Sequence, residues 1–226
     1  MDFLGFINSD FDFFKKKGLM NKLEYDTKKE ELKRHFREFC YVIQKNYHGI
    51  NGGTLLFDKD FQGLSKNKNI ICAKLRIPDI DFINLSIDLC QENISINLVS
   101  PPDGDYTKFE QFRNVLINKK EMMTKFFKEN KPMYILLYKR NYKKQGDDVW
   151  IEEYKFENNE LCLGNYDTLI ENIDKIQPSP INMKKLSGIK IRVQFSKSDT
   201  TKTGKLLATR ACGDIIKMLS LCDSIK

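Results

Sequence analysis

Glu153 and Lys155 flank Tyr154 in a stretch that reads as a β-strand, residues 149–156. Alternate residues of a strand share a face, so this spacing sets a carboxylate beside an ammonium. It matches the second half of a metal-dependent nuclease site. There, carboxylates hold Mg²⁺ and the lysine stabilises charge developing on a phosphate or a water. Such a site needs a further acid on the same ion. Asp148 is the nearest mate, and Asp79 or Asp81 would have to be brought in by the fold. The competing reading takes Asp147, Asp148, Glu152 and Glu153 as a charged hairpin edge that resists aggregation. A three-residue pattern recurs often by chance, which weighs toward the edge.

Two basic segments suggest a different chemistry. Tyr138, Lys139, Arg140, Tyr142, Lys143 and Lys144 mix aromatic and cationic side chains, with Tyr134 on the same strand. Aromatic rings stack on bases while cations meet phosphates, so this is the stronger nucleic-acid candidate. The plain alternative is that Tyr134 and Tyr138 are core residues, with Lys139 pointing outward. The second segment holds Lys197, Lys202, Lys205 and Arg210 among Ser196, Ser198, Thr200, Thr201 and Thr203, at an expected helix start. Hydroxyls and lysines at a helix N-terminus suit an anion. Thr203-Gly204-Lys205 resembles the end of a phosphate-binding loop but lacks the upstream glycine. The plain alternative is a capped helix with a solvated face.

Other chemistries are poorly supported. His35 and His48 are the only histidines. His35 falls off the apolar stripe of its helix and reads as a surface residue, and His48 reads as a turn residue. Neither has a Ser, Cys or acid at triad spacing. The six cysteines, Cys40, Cys72, Cys90, Cys162, Cys212 and Cys222, form no Cys-x-x-Cys pair. They argue for buried thiols in a reducing cytosol, not for disulfides or zinc. Neither a metal nor a cofactor is expected.

The elements that must position these residues follow from hydrophobic period. Leu32, Phe36, Phe39, Cys40 and Ile43 predict a helix over residues 27–46. Residues 54–99 alternate as short strands, with 82–90 and 94–99 forming a hairpin with one wet face. A long amphipathic helix is expected over 106–129 and strands over 133–142 and 149–156. A short helix over 166–176, a strand over 186–195 and a closing helix over 203–221 complete the chain. Hairpins dominate this order. It predicts one α+β domain over residues 1–226, with a single curved, mainly antiparallel sheet and helices packed on one face.

Composition is consistent with that. Of 226 residues, 41% are apolar and 12% aromatic, enough for a sizeable core. A net charge of +7 permits an anionic partner without demanding one. The lysine content also fits a low-GC genome, which would raise the charge without a functional cause. No apolar run approaches the roughly 20 residues of a membrane span, and the N-terminus lacks a signal-peptide pattern.

The first two dozen residues carry a resemblance. Gly5-Phe6-x-x-x-Asp10-Phe11-Asp12-x-Phe14-x-x-x-Gly18-Leu19 resembles the opening motif of the YktB-like family. These are small cytoplasmic bacterial proteins, mostly from Firmicutes, with no assigned activity. An Arg-Met pair follows in that family, and Lys22 and Leu23 hold those places here. The element order is similar too, ending in a strand, a Ser/Asp-rich turn from Ser196 to Asp199 and a final helix. Lys17 departs from the family's acid before the glycine, and its His-, Arg- and Pro-rich middle segment has no counterpart. The resemblance implies a fold and a compartment, not a reaction. Physically, Gly18 is expected to turn with a positive φ. Phe6, Phe11 and Phe14 are expected to dock under the sheet.

The resulting expectation is a cytoplasmic, non-enzymatic binding module whose partner is anionic, nucleic acid first. The alternatives are a Mg²⁺-dependent nuclease of restriction or phage-defence type, and a protein–protein module docking through its N-terminal aromatics.

Overall fold

The structure, a computed structural model, describes residues 3–58, 61–64, 69–77, 79–100, 106–130, 133–140, 148–156, 162–175 and 188–225. Residues 62–63, 76, 106, 138–140, 148–156, 162–165 and 174–175 are described by their backbone alone.

The chain opens with a helix that periodicity does not announce, α1 (Asn8–Lys16). Its start is closed by Asp10, whose Oδ2 accepts the Ile7 N–H at 2.9 Å. Phe3, Phe6, Phe11, Phe13 and Phe14 are all buried. The first two pack against α2 (Lys22–Asn51), Phe3 tilted at 5.0 Å and Phe6 edge-on at 5.2 Å from Phe39. The N-terminal aromatics thus dock first on a helix and are already partnered within the chain. Helix α2 starts at Asn21, whose side chain accepts the Glu24 N–H, and stops at Gly52 in the left-handed region. His48 lies in its last turn, not beyond it.

His35 is not a surface residue. Its Nδ1 lies 2.9 Å from Oδ1 of Asp10, which is almost fully buried, and this tethers α1 to α2. Burial pushes the Asp10 carboxyl above its ordinary value of 3.8, against the opposing pull of the Ile7 N–H and His35. A carboxyl raised in the native state binds its proton more tightly there than in the unfolded chain. Stability from this group is therefore lost as pH rises from 3.8 through the raised value. Asp10→Asn keeps an acceptor for Ile7 and removes that loss. The parent-minus-variant difference in Tm should fall as pH rises from about 4 to 7, and a flat difference would refute this.

The strands among the described residues are β1 (Gln62–Gly63), β2 (Ile70–Arg76), β3 (Asn84–Cys90), β4 (Asn93–Ser100), β5 (Met133–Arg140), β6 (Asp148–Phe156) and β7 (Gly188–Ser196). They form one sheet in the order β1-β2-β3-β4-β7-β5-β6, and every pairing is antiparallel. The last strand in sequence is thus inserted between β4 and β5. Residues 54–57 contribute only an isolated bridge, Phe57 to Leu75.

One face of the sheet is apolar: Ile71, Ala73 and Leu75, then Leu85, Ile87 and Leu89, Ile94, Ile96 and Leu98, Ile135 and Leu137, and Ile189 and Ile191. The helices cover it in a single core, giving the expected α+β architecture. The expected long helix is two, α3 (Tyr106–Asn118) and α4 (Lys120–Glu129). The hydroxyl of Tyr166, on α5 (Cys162–Lys175), donates to the Leu116 carbonyl at 2.6 Å, in the last turn of α3. A side-chain donor there takes a carbonyl that a helix end leaves open.

The closing helix is likewise two, α6 (Lys197–Thr203) and α7 (Leu206–Ile225), and α7 packs along α2. Ser196 caps α6, its Oγ accepting the Asp199 N–H at 3.0 Å. Among the described residues, no helix is long and apolar enough to cross a membrane.

Candidate functional site

The sheet's second face holds the most unusual chemistry. On the β3–β4 hairpin it carries Ser86, Asp88, Ser95 and Asn97, which sequence alternation assigns to water. All four are buried, and Asn97 is 0% exposed. Short Ser, Asn and Asp side chains are poor strand formers. Their run on one strand face, where a solvated strand usually carries Thr, Lys or Glu, was the signal for a closed polar network.

Asn97 is its hub. Arg192 Nε donates to Asn97 Oδ1 at 2.7 Å, which sets the amide's orientation. The amide nitrogen then faces Asp88 Oδ2 at 3.0 Å, Ser95 Oγ at 3.2 Å and Ser86 Oγ at 3.4 Å. With two hydrogens to give, it serves the carboxylate and one serine best. Among the described residues no N–H or O–H group donates to the buried Asp88 Oδ1, and the Cys72 thiol is the hydrogen-bonding neighbour of this carboxyl.

Register extends this hub across the sheet. Lys74 pairs with Ser86, Ser86 with Asn97, Asn97 with Arg192, Arg192 with Tyr134, and Tyr134 with Lys155. One row thus crosses six strands, about 24 Å at about 4.8 Å per strand. Its flanks, Lys74, Arg192 and Tyr134, are half-buried. A neighbouring row places Lys190, 9% exposed, opposite Val99 and Leu136. Tyr134 is therefore not a core residue: Ile135 and Leu137 take the core face, and Tyr134 takes the polar one.

Cys72 pairs directly with Asp88. Burial and then the Asp88 charge push its thiol well up, while Lys74 and Lys190 pull weakly the other way. A thiol held protonated is a poor nucleophile. Burial raises Cys40 as well. Both should resist iodoacetamide in the folded protein at about pH 8 and label only on unfolding. Mass spectrometry of labelled peptides checks this, and fast native labelling of Cys72 would refute it.

The predicted sites fare unevenly. Asp148 and Glu153 lie five residues apart on β6, across a register shift between Leu137 and Tyr138. Their partners Arg140 and Leu136 are four residues apart on β5, so the bulge brings the two backbones to about 13 Å at the rise of a strand. Two carboxylates sharing one Mg²⁺ span at most about 13 Å between Cα atoms, with bonds of about 2.1 Å, so this pair stands at that limit. Asp79 and Asp81 lie in the β2–β3 connection, four strand steps or about 19 Å along the sheet from β6. Asp81 lies 3.9 Å from Lys108. Lys155 and Glu153, in contrast, fall in register with the polar face.

The two basic segments are not one site. Tyr138 pairs with Gly188 at the start of β7, and Lys197 directly follows the strand's last residue, Ser196, which lies about 26 Å from Gly188. Arg140 pairs with Asp148, and Lys139 with Val149. Tyr142, Lys143 and Lys144 lie outside the described residues. Lys197 is engaged internally: its Nζ donates to Asp12 Oδ1 at 2.7 Å and stands 5.8 Å from the Phe11 ring centroid. Lys202, Lys205 and Arg210 are exposed. Gly204 does not open a phosphate loop. It ends α6 with φ +55° and packs against Gly5.

No protein-family model matches this chain, and no curated protein is similar to it. Among the described residues, no three His, Cys, Asp or Glu side chains converge as a metal-binding group.

Proposed function

We propose that this protein is a binding module for an anionic partner, single-stranded nucleic acid first, met by the half-buried cations that flank the closed polar network of the sheet. The observation that carries this reading is the row Lys74–Ser86–Asn97–Arg192–Tyr134–Lys155. Ser86 and Asn97 are buried within it, and Lys74, Arg192 and Tyr134 are the half-buried side chains of the row. Cations neutralise phosphates, and aromatic side chains stack on unpaired bases. The row's length is on the scale of the shortest single-strand sites, about four nucleotides. A face six strands wide does not enter a duplex groove, which admits a helix or a two-stranded ribbon.

The reading as a cytoplasmic bacterial protein of the YktB-like type draws on the N-terminal motif, whose aromatics pack as one unit, and on cysteines at positions 40, 72, 90, 212 and 222 that are not joined in disulfides. A nuclease reading has less support, because Asp79 and Asp81 are beyond reach of a metal on Glu153 and the Asp148 backbone stands at the limit of that reach. A docking role for the N-terminal phenylalanines lacks support because they are buried.

Fluorescence anisotropy with labelled single-stranded DNA, single-stranded RNA and duplex DNA tests the reading. The single strands should bind, with log affinity falling against log salt by about 0.7 per phosphate contacted. Three cationic contacts give a slope of about −2. Absence of binding at low salt, or preference for the duplex, would overturn it.

A further inference from the structure

An apolar corner rimmed by cations stands where the start of the chain meets the α6–α7 turn. From Phe3 to Ile7 the side chains divide between core and solvent. Phe3 and Phe6 are buried, while Leu4 is 81% and Ile7 54% exposed. The close approach of Gly5 to Gly204 sets Leu4 beside the turn, its carbonyl 3.4 Å from where a Cβ on Gly204 would stand. Two residues past Gly204, Leu206 opens α7 and is 58% exposed. Exposed leucines scattered singly are ordinary, but large aliphatic side chains gathered around one backbone contact mark an interaction site.

The rim supplies a second observation. Lys202, Lys205 and Arg210 are exposed. Arg210 lies one helical turn from Leu206 on the same face of α7. Neither residues 3–9 nor residues 200–213 contain an acid. Among the described residues, none of these three cations is in an ion pair. The corner is therefore apolar at its centre and positive at its edge.

The shape decides what fits it. A helical peptide needs a groove, and an extended peptide needs a free strand edge. Leu4 projects from the surface, and the groove between Met122 and Phe126 on α4 and Ile216 and Leu221 on α7 shares none of these residues. The strands that α6 packs on, β4 and β7, are internal to the sheet. Aliphatic side chains offer no ring for stacking on bases. A lipid surface asks for no complementary shape: apolar side chains enter the acyl boundary while cations meet anionic headgroups.

We infer that this corner docks on an anionic lipid surface, with Leu4, Ile7 and Leu206 inserted at the interface and Lys202, Lys205 and Arg210 against headgroup charge. The contact is interfacial and reversible, since a few side chains fall far short of a membrane span. It is separate from the polar row, and the single-strand reading stands or falls without it.

The test is cosedimentation of the full chain, at low salt, with vesicles of phosphatidylcholine alone and of phosphatidylcholine and phosphatidylserine in equal parts. The parent should pellet with the anionic vesicles and stay in solution with the neutral ones. Leu4→Ser with Leu206→Ser keeps every charge and should weaken binding about tenfold or more. Lys202→Ala with Lys205→Ala and Arg210→Ala keeps every leucine and should weaken it about a hundredfold. All the altered side chains are exposed, so both variants should melt as the parent does. Unchanged binding in either variant, no binding by the parent, or equal binding to neutral vesicles would overturn the inference. Loss of binding on Leu19→Ser with Leu23→Ser, beyond the other end of α1, while both corner variants bind normally would overturn it too. A parent that sediments as a dimer without lipid, and as a monomer after the leucine change, would overturn it in favour of a second copy of the chain.

Discussion

Gly5→Ala should lower stability by about 3 kcal/mol, while Gly18→Ala should change it by less than about 0.5 kcal/mol. Both glycines belong to the same N-terminal motif, and only the structure separates them. Gly5 has φ +117°, a region that side chains rarely adopt. A Cβ there would also sit 2.6 Å from the Gly204 Cα, a backbone atom that cannot swing aside. Gly204 is itself held at φ +55°, at the end of α6, so the two strained glycines close on each other.

The strain alone is worth about 1–3 kcal/mol. Relief by undocking would expose Phe3 and Phe6, each worth about 1.5–3 kcal/mol of burial. Gly18 has no positive φ, against the expectation from sequence, and an added Cβ would meet nothing within 4 Å. For a chain of this size, 3 kcal/mol corresponds to a Tm loss of about 6–12 °C. Thermal melts of the two variants side by side decide the matter. A Gly18→Ala variant as damaged as Gly5→Ala would show that the Gly5–Gly204 approach is not what holds the N-terminus.

Arg192→Ala should lower affinity for single strands about tenfold at moderate salt and cut the salt slope by about 0.7. It should also lower stability by about 1–3 kcal/mol, because Asn97 Oδ1 is buried and would lose its donor. Lys74→Ala separates the two effects. Lys74 is half-buried and outside the hydrogen bonds of Asn97, so its loss should flatten the salt slope with little change in Tm.

The control is the triple change Lys202→Ala, Lys205→Ala and Arg210→Ala. It removes three exposed cations on α6, α7 and the turn between them, beyond the end of β7 and away from the row. It should leave the affinity within about threefold, as rim charges act mainly on long-range attraction. Loss of binding in the triple variant, with Lys74→Ala and Arg192→Ala unaffected, would move the site to the C-terminal basic segment.

Sequence by itself determined the elements wherever a period and a stop signal agree. Leu32, Phe36, Phe39 and Ile43 mark α2 because four-residue and three-residue steps leave one apolar stripe. Ile94, Ile96 and Leu98 mark β4 because alternate residues share a face. The α+β class follows from their order.

What alternation does not carry is the environment of the second face. Asn97 and Ser95 read as wet because a strand's period says which residues lie opposite the core and not what lies over them. The place of β7 is equally non-local. Insertion between β4 and β5 depends on matching Ile189 and Ile191 with Ser100, Leu98, Ile135 and Leu137 across long sequence separations. That insertion is what brings Arg192 to Asn97, 95 residues away, and sets Tyr134 beside Arg192. Gly5 and Gly204 meet for the same reason: chain closure, not local propensity, selects which glycine needs a positive φ. The residues able to do chemistry were all legible as types. Their assembly into one polar row was decided by strand order, which only the tertiary packing of the apolar face specifies.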